Sequence, residues 1–247
     1  MEPRFGRLYA SAVLRPLAEQ VVDALDMHPG ETGCDLICDS GTVGLAFAAV
    51  AGPSGRVLLV DTDAAMSAAA RREISRSGCA AVSCVAGAHA IPVTTASCDR
   101  VASLLTAGFW DGASLFDEAD RVRTPAGSAA IVTWDEMDPP AHEIALEAAL
   151  RAEVGLDSRF LRACRAPVSV PRHWETMLLR DVVRFDGMAQ YWAAMVLERP
   201  VASEIAAVPE AVRRAVRGAC ERALQAFIAA DGTMRIPVAA TMLRRSG

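Results

Sequence analysis

The chain has 247 residues, of which 52% are apolar and 22% charged, with a formal net charge of −5. That balance excludes a disordered chain and leaves enough length for one well-buried domain. All 25 basic residues are arginine and none cluster in a basic run, so nucleic acid is not expected as a partner.

Seven cysteines (Cys34, Cys38, Cys79, Cys84, Cys98, Cys164, Cys220) are scattered, odd in number and mostly set in apolar runs. They suit the reduced, buried thiols of a cytoplasmic protein better than a disulfide framework. Cys34 and Cys38 have no matching Cys/His pair at zinc-site spacing, so no metal is expected. The opening MEPRFGRLYA lacks an apolar signal core, and no run of 18 apolar residues occurs. Neither export nor membrane insertion is therefore expected.

Residues 8–27 place Leu14, Leu17, Val21, Val22 and Leu25 at helical spacing, and HPGETG then breaks the helix. Strands are expected at 34–38, 56–61, 80–85, 99–105 and 128–134, with helices at 43–51, 64–78 and 116–123. TPAG (124–127) reads as a turn. Parallel neighbours need a crossover between them, so five strands alternating with helices imply a parallel, doubly wound sheet. The second half differs. Residues 143–155, AQYWAAMVLE and 209–230 read as helices, while 175–186 and 233–243 alternate as strands. The expected fold is α/β: a Rossmann-like, doubly wound seven-stranded sheet, mostly parallel, with an antiparallel last strand. A helical cap is inserted near the C-terminal strands. Residues 1–247 form one domain, with a cofactor-binding core over 1–135 and the cap and closing strands over 136–247.

The stretch CDLICDSGTVGLAFA (34–48) joins a strand to a helix through small residues, the place where doubly wound folds hold a ligand beyond the strand ends. Gly41 and Gly44 allow close approach and helix packing, whereas Asp39 brings a Cβ and a charge where glycine is usual. A capping turn built on Asp39 and Ser40 is the structural alternative. Asp61 ends VLLVD and follows Gly41 at the spacing of an acid that reaches ribose hydroxyls. Spacing alone also admits a dinucleotide oxidoreductase that has lost the first glycine of Gly-x-Gly-x-x-Gly.

Taken together, DLICDSGTVGLA, GPSGRVLLVDTDAAM, VAGAHAIPVTTASCDRVAS, FDEADRVRTPAGSAAIVTW and DGTMRIPVAATMLRR resemble the class I S-adenosylmethionine-dependent methyltransferases, of the small-molecule ubiquinone-biosynthesis type. The resemblance covers nearly the whole chain. It implies S-adenosylmethionine as cofactor, held by Asp35, Cys38, Asp39, Ser40, Gly41, Asp61, Thr62, Ala88, His89, Ser103 and Leu104. The departures fall in that site. Ile37 and Asp39 replace the first two loop glycines, and Ala88 stands where an adenine-binding Asp is usual, with His89 as a substitute. The N-terminal segment (Arg4, Phe5, Arg7, Tyr9) often covers the cofactor in such proteins.

Methyl transfer needs orientation and exclusion of water, and at most one general base. His142, Asp135 and His173 are the candidates; His28 belongs to the wrong end of the sheet. Tyr9, Trp110, Tyr191 and Trp192 are expected to line a pocket for a largely apolar small molecule, and a homodimer through the cap is one arrangement. The expected function is methyl transfer to a small molecule, as in natural-product tailoring. The alternative is a methyltransferase-like protein that no longer transfers methyl and serves as a cyclase, a rearrangement enzyme or a small-molecule-binding protein.

Overall fold

The computed structural model describes residues 6–86, 90–110 and 112–247. Seven strands form one sheet in the order β3-β2-β1-β4-β5-β7-β6. These are β1 (Thr32–Leu36), β2 (Arg56–Asp61), β3 (Ala80–Val85), β4 (Cys98–Leu104), β5 (Arg123–Trp134), β6 (Glu175–Phe185) and β7 (Met234–Arg245). The first five run parallel, and β7 is antiparallel to both β5 and β6. β1 lies between β2 and β4, so the chain reverses its winding there and leaves a crevice beyond the carboxyl ends of those strands.

The N-terminal helical segment is composite: α1 (Arg7–Tyr9), a π turn over Ala10–Leu14, and α2 (Arg15–Ala24). α3 (Thr42–Ala51) and α4 (Ala64–Ser75) make the first two crossovers, and α5 (Gly112–Val122) the crossover from β4 to β5. Between β5 and β7 come α6 (Ala141–Val154), α7 (Arg159–Cys164), α8 (Met188–Trp192) with a π turn over Ala193–Leu197, α9 (Val201–Glu204) and α10 (Glu210–Ala223). This is the expected helical embellishment. Its core helices pack on the sheet face that also carries α2, α3 and α4, through Leu146, Leu150, Val196 and Val216. The other face is covered by α5 and Trp174, against Leu36, Val60 and Ile131. The alternating apolar side chains of β4 and β5 divide between the two cores, as a sheet buried on both faces requires.

Several boundaries differ from expectation. β1 ends at Leu36, because the backbone turns left-handed at Ile37 (φ 57°). TPAG is not a free turn. Cys98 pairs with Arg123 and Arg100 with Ser128, so Thr124–Gly127 bulge out of β5 opposite Asp99. The Arg123 guanidinium stitches the bulge by donating to the carbonyls of Thr124 and Gly127 (both 3.2 Å). α7 has no counterpart in the sequence reading. Its signal is Ser158, whose Oγ caps the helix by accepting from the Leu161 N–H (3.2 Å).

Candidate active site

The loop after β1 keeps the shape of a glycine loop although two of its residues are not glycine. Ile37, Asp39 and Gly41 all have positive φ (57°, 45° and 78°). Asp adopts this region with little penalty, but a β-branched residue does not. Side-chain and backbone bonds hold the loop in place. The Cys38 N–H donates to the Val60 carbonyl (2.9 Å), and the Asp39 N–H to Asp61 Oδ2 (2.9 Å). The other Asp61 oxygen accepts from the Asp63 N–H (2.9 Å), and Asp63 in turn caps α4. Asp35 Oδ2 accepts from the Gly44 N–H (2.8 Å), fastening β1 to α3. Both glycines are required sterically. A Cβ on Gly41 would meet Ala70 Cβ at 2.6 Å, and one on Gly44 would meet Leu59 at 2.6 Å and Ile74 at 2.9 Å.

Three carboxyl groups, Asp35, Asp39 and Asp61, are thus buried around one turn. Burial pushes the Asp35 carboxyl up to about 8; the Asp61 and Asp39 charges add to this, and the Gly44 N–H opposes it. Asp35 is therefore protonated at neutral pH.

Asp35, Cys38, Asp39, Ser40 and Leu104 do converge, on a crevice also lined by Ile37, Thr42, Val43, Thr106 and Leu14. Ser103 stands just behind it, 2.8 Å from the Thr106 hydroxyl. Thr62 is exposed on the turn into α4. Ala88 and His89, like Arg4 and Phe5, lie outside the described residues. The crevice has a volume of about 10 Å³, room for roughly one water. Leu14, carried in by the N-terminal π turn, and Ile37 fill the rest. Neither residue was singled out from sequence, since Leu14 reads as one more apolar position on an amphipathic helix.

The catalytic candidates do not come together. Asp135 organises a turn: Oδ1 accepts from the N–H groups of Met137 and Asp138 (3.0 and 2.9 Å), and Oδ2 from the Thr241 hydroxyl (2.8 Å). Those donors, Thr241 foremost, hold its carboxyl below the usual range, the wrong direction for a base. His173 precedes β6, which lies beyond β7 and runs in the same direction as β5, so it stands at the amino edge of the sheet and pairs with Asp120 (3.0 Å). That edge is opposite the crevice.

His142 is at the carboxyl edge, but inside a closed aromatic cage. It is fully buried, its ring 5.5 Å from Trp134, 6.3 Å from Tyr9 and 6.5 Å from Phe185, and neither ring nitrogen has a hydrogen-bond partner. Burial drives its pKa down to about 4, so it is neutral near pH 7. Beside it lies a fully buried ion pair, Glu143 with Arg199 (3.0 Å). The Tyr9 hydroxyl donates to Glu143 (2.8 Å), and the guanidinium lies over the rings of Tyr9 (4.2 Å) and Phe160 (4.7 Å).

Of the expected acceptor-pocket residues, Tyr9 and Tyr191 are therefore fully buried, the Tyr191 hydroxyl donating to the His142 carbonyl (2.8 Å). Trp192 packs against the same core, while Trp110 packs against the core on the opposite sheet face. The four do not line one pocket. The described start of the N-terminal segment packs against Glu198, just before α9. Gly6 is pressed against Glu198, where a Cβ would come within 2.2 Å of Glu198 Cβ, and the Leu8 N–H donates to Glu198 Oε2 (2.8 Å). None of the seven cysteines forms a disulfide. Among the described residues no cluster of His, Cys, Asp and Glu is placed to hold a metal, and no helix is long and apolar enough to cross a membrane.

Residues 34–127, from β1 to the bulge of β5, match the family model of a methyltransferase domain. An uncharacterized 37.1 kDa protein in transposon TN4556 of Streptomyces fradiae is 31% identical over 135 residues, covering 53% of this chain and 39% of its own length. The chain thus spans well under half of that relative. Among solved structures, a candidate type II methyltransferase from Anaeromyxobacter dehalogenans is similar over 100% of this chain and 98% of its own (TM-score 0.54, 18% identity). A candidate methyltransferase from Bacillus halodurans is similar over 92% and 96% (TM-score 0.54, 15% identity). Residues 34–127 thus resemble a methyltransferase domain, and the chain as a whole has the fold of the class I S-adenosylmethionine-dependent methyltransferases.

Proposed function

We propose that this protein is an S-adenosylmethionine-dependent methyltransferase acting on a small, largely apolar molecule, as a natural-product tailoring enzyme would. The observation that carries the reading is the loop: Ile37 and Asp39 keep the left-handed backbone of the glycines they replace, and Asp61 ties that loop to β2. A scaffold that retains a costly backbone shape retains the purpose of the shape. Asp61, its direction fixed by two backbone N–H groups, would take the ribose hydroxyls, and the buried Asp39 the cationic end of the methionyl part. When bound, the cofactor supplies an electrophilic methyl group for in-line displacement. The chain's own contribution is orientation and dryness: the apolar Leu14 and Ile37 line a crevice with room for roughly one water, and no side chain at its rim is needed as a base. The buried thiols suit a reducing, cytoplasmic compartment.

A crevice of about 10 Å³ favours the second reading, a protein that keeps the fold but binds or rearranges a small molecule without transferring methyl. Calorimetric titration with S-adenosylmethionine and with S-adenosylhomocysteine separates the two. Micromolar binding, tightened by Leu14→Ala and weakened more than tenfold by Asp61→Asn, supports the first. Absence of heat with either ligand at millimolar concentration, in wild type and Leu14→Ala alike, rejects it in favour of the second.

A further inference from the structure

On the same sheet face, continuous with the crevice through Asp39, Ser40 and Thr42, three helices form a trough of about 990 Å³, as large as a small-molecule site needs. Its floor is the outer side of α3, with Leu45, Ala46, Ala49 and Val50 at helical spacing. α3 is apolar all round (TVGLAFAAVA), and an apolar helix is normally covered on every side. Here one side is open to the trough. α4 makes one wall with Met66, Ala69, Glu73 and Arg76, the last two forming an ion pair. The other wall carries Arg7, Ser11, Arg15, Glu19 and Asp23, every fourth residue along the N-terminal helical segment.

That second wall is graded in charge. Arg7 and Arg15 stand at the carboxyl-edge end, beside the Ser40–Thr42 end of the loop, and both are exposed. Neither has an ion-pair partner among the described residues. Glu19 and Asp23 stand at the amino-edge end. At 1.5 Å per residue the stripe from Arg7 to Asp23 is about 24 Å long. That length accommodates a medium acyl chain laid straight at ~1.2 Å per bond.

We infer that this trough is a binding site for a free medium-chain carboxylate. The headgroup sits between Arg7 and Arg15, and the tail runs over Ala46, Ala49 and Val50 toward Val22. The charge gradient fixes the orientation, since Glu19 and Asp23 would repel the carboxylate from the far end. The floor supplies the apolar surface that such a tail buries. The trough borders the proposed cofactor loop at Asp39, Ser40 and Thr42, but carboxylate binding there requires no cofactor, so it is tested without one.

The probe is dodecanoate, titrated calorimetrically below its micelle concentration into the whole chain without cofactor. Saturable one-to-one binding is expected. It should weaken at least tenfold in Arg7→Ala/Arg15→Ala, which removes two exposed charges, and at least tenfold in Ala49→Trp, which fills the floor from an exposed position. Dodecyltrimethylammonium should bind at least tenfold more weakly than dodecanoate. Circular dichroism and Tm at wild-type values establish that both variants fold. Absence of saturable dodecanoate binding, or equal affinity in wild type and both folded variants, overturns the assignment. So does a sedimentation profile in which the chain dimerises and Ala49→Trp dissolves the dimer, since a second copy would then occupy the trough.

Discussion

Replacing Asp35 by Asn tests the electrostatics of the loop directly. Asp35 is buried at the end of β1 with its carboxyl raised to about 8, against roughly 3.9 in an unfolded chain. The folded state therefore holds a proton that the unfolded state releases, and the sign follows: stability from this group is full below pH 3.9 and is lost as pH rises through about 8. Each pH unit between those limits costs about 1.4 kcal/mol. From pH 5 to 7.5 that amounts to about 3 kcal/mol, a large share of the ~5–15 kcal/mol typical of a domain. Asn keeps an acceptor for the Gly44 N–H and carries no charge at any pH. Urea unfolding followed by circular dichroism at half-unit pH steps gives both profiles. All other titrating groups are common to the two proteins, so the stability of Asp35→Asn relative to wild type should climb by about 3 kcal/mol across that window. A difference that stays constant between pH 5 and 7.5 would mean that Asp35 is ionised in the folded protein, and would refute the reasoning.

His142→Phe should stabilise the protein by roughly 1–2 kcal/mol, because it removes two buried ring nitrogens without partners from an aromatic cage. Wild-type stability should also fall as pH drops from about 6.5 to about 4, because the folded state resists protonating His142; Tm measured over that range should lose this slope in the variant. Arg199→Met should cost about 3–5 kcal/mol by leaving Glu143 charged and buried, and Glu143→Gln in the same chain should recover most of it; a double-mutant cycle in urea reads the coupling. Gly41→Ala should cost at least ~1–2 kcal/mol, since it adds a Cβ at φ 78° with Ala70 only 2.6 Å away; equal urea midpoints would show that α4 yields freely.

The sheet was legible because its strands are apolar and its helices amphipathic: β2 and β3 begin and end where the sequence places them. β1 was misplaced by two residues for a physical reason. Ile37 and Cys38 continue the apolar run and are buried like strand residues, yet the backbone has already turned. Asp61 could be found by spacing, since its distance from the loop is set by one helix and one strand. What spacing could not supply was its role in holding the Asp39 N–H. The Glu143–Arg199 pair was invisible for a different reason. It joins α6 to the end of a later π turn, and only the packed fold makes Arg199 a buried residue in an otherwise exposed class. His142 was a candidate base from its place beyond the fifth strand. The same packing that brings Arg199 to Glu143 closes the cage around it.

The arrangement of the three loop carboxyls also bears on the two cofactor classes admitted by the Asp39-x-Gly41-x-x-Gly44 spacing. A dinucleotide places its pyrophosphate against the backbone N–H groups at a helix N-terminus, where positive charge gathers and side chains must be absent. Here Asp39 brings a buried carboxyl into that position, with Asp61 bonded to its N–H and Asp35 one turn back. A phosphate there would face acidic side chains in a medium that screens them poorly. An ammonium or sulfonium would be attracted to the same site, and the proton on Asp35 keeps the negative charge from becoming prohibitive at neutral pH. On the proposed reading, the substitution that looks like decay in a glycine loop would work as a charge filter. It disfavours nucleotide phosphates and leaves the loop suited to a cationic, nucleoside-bearing ligand.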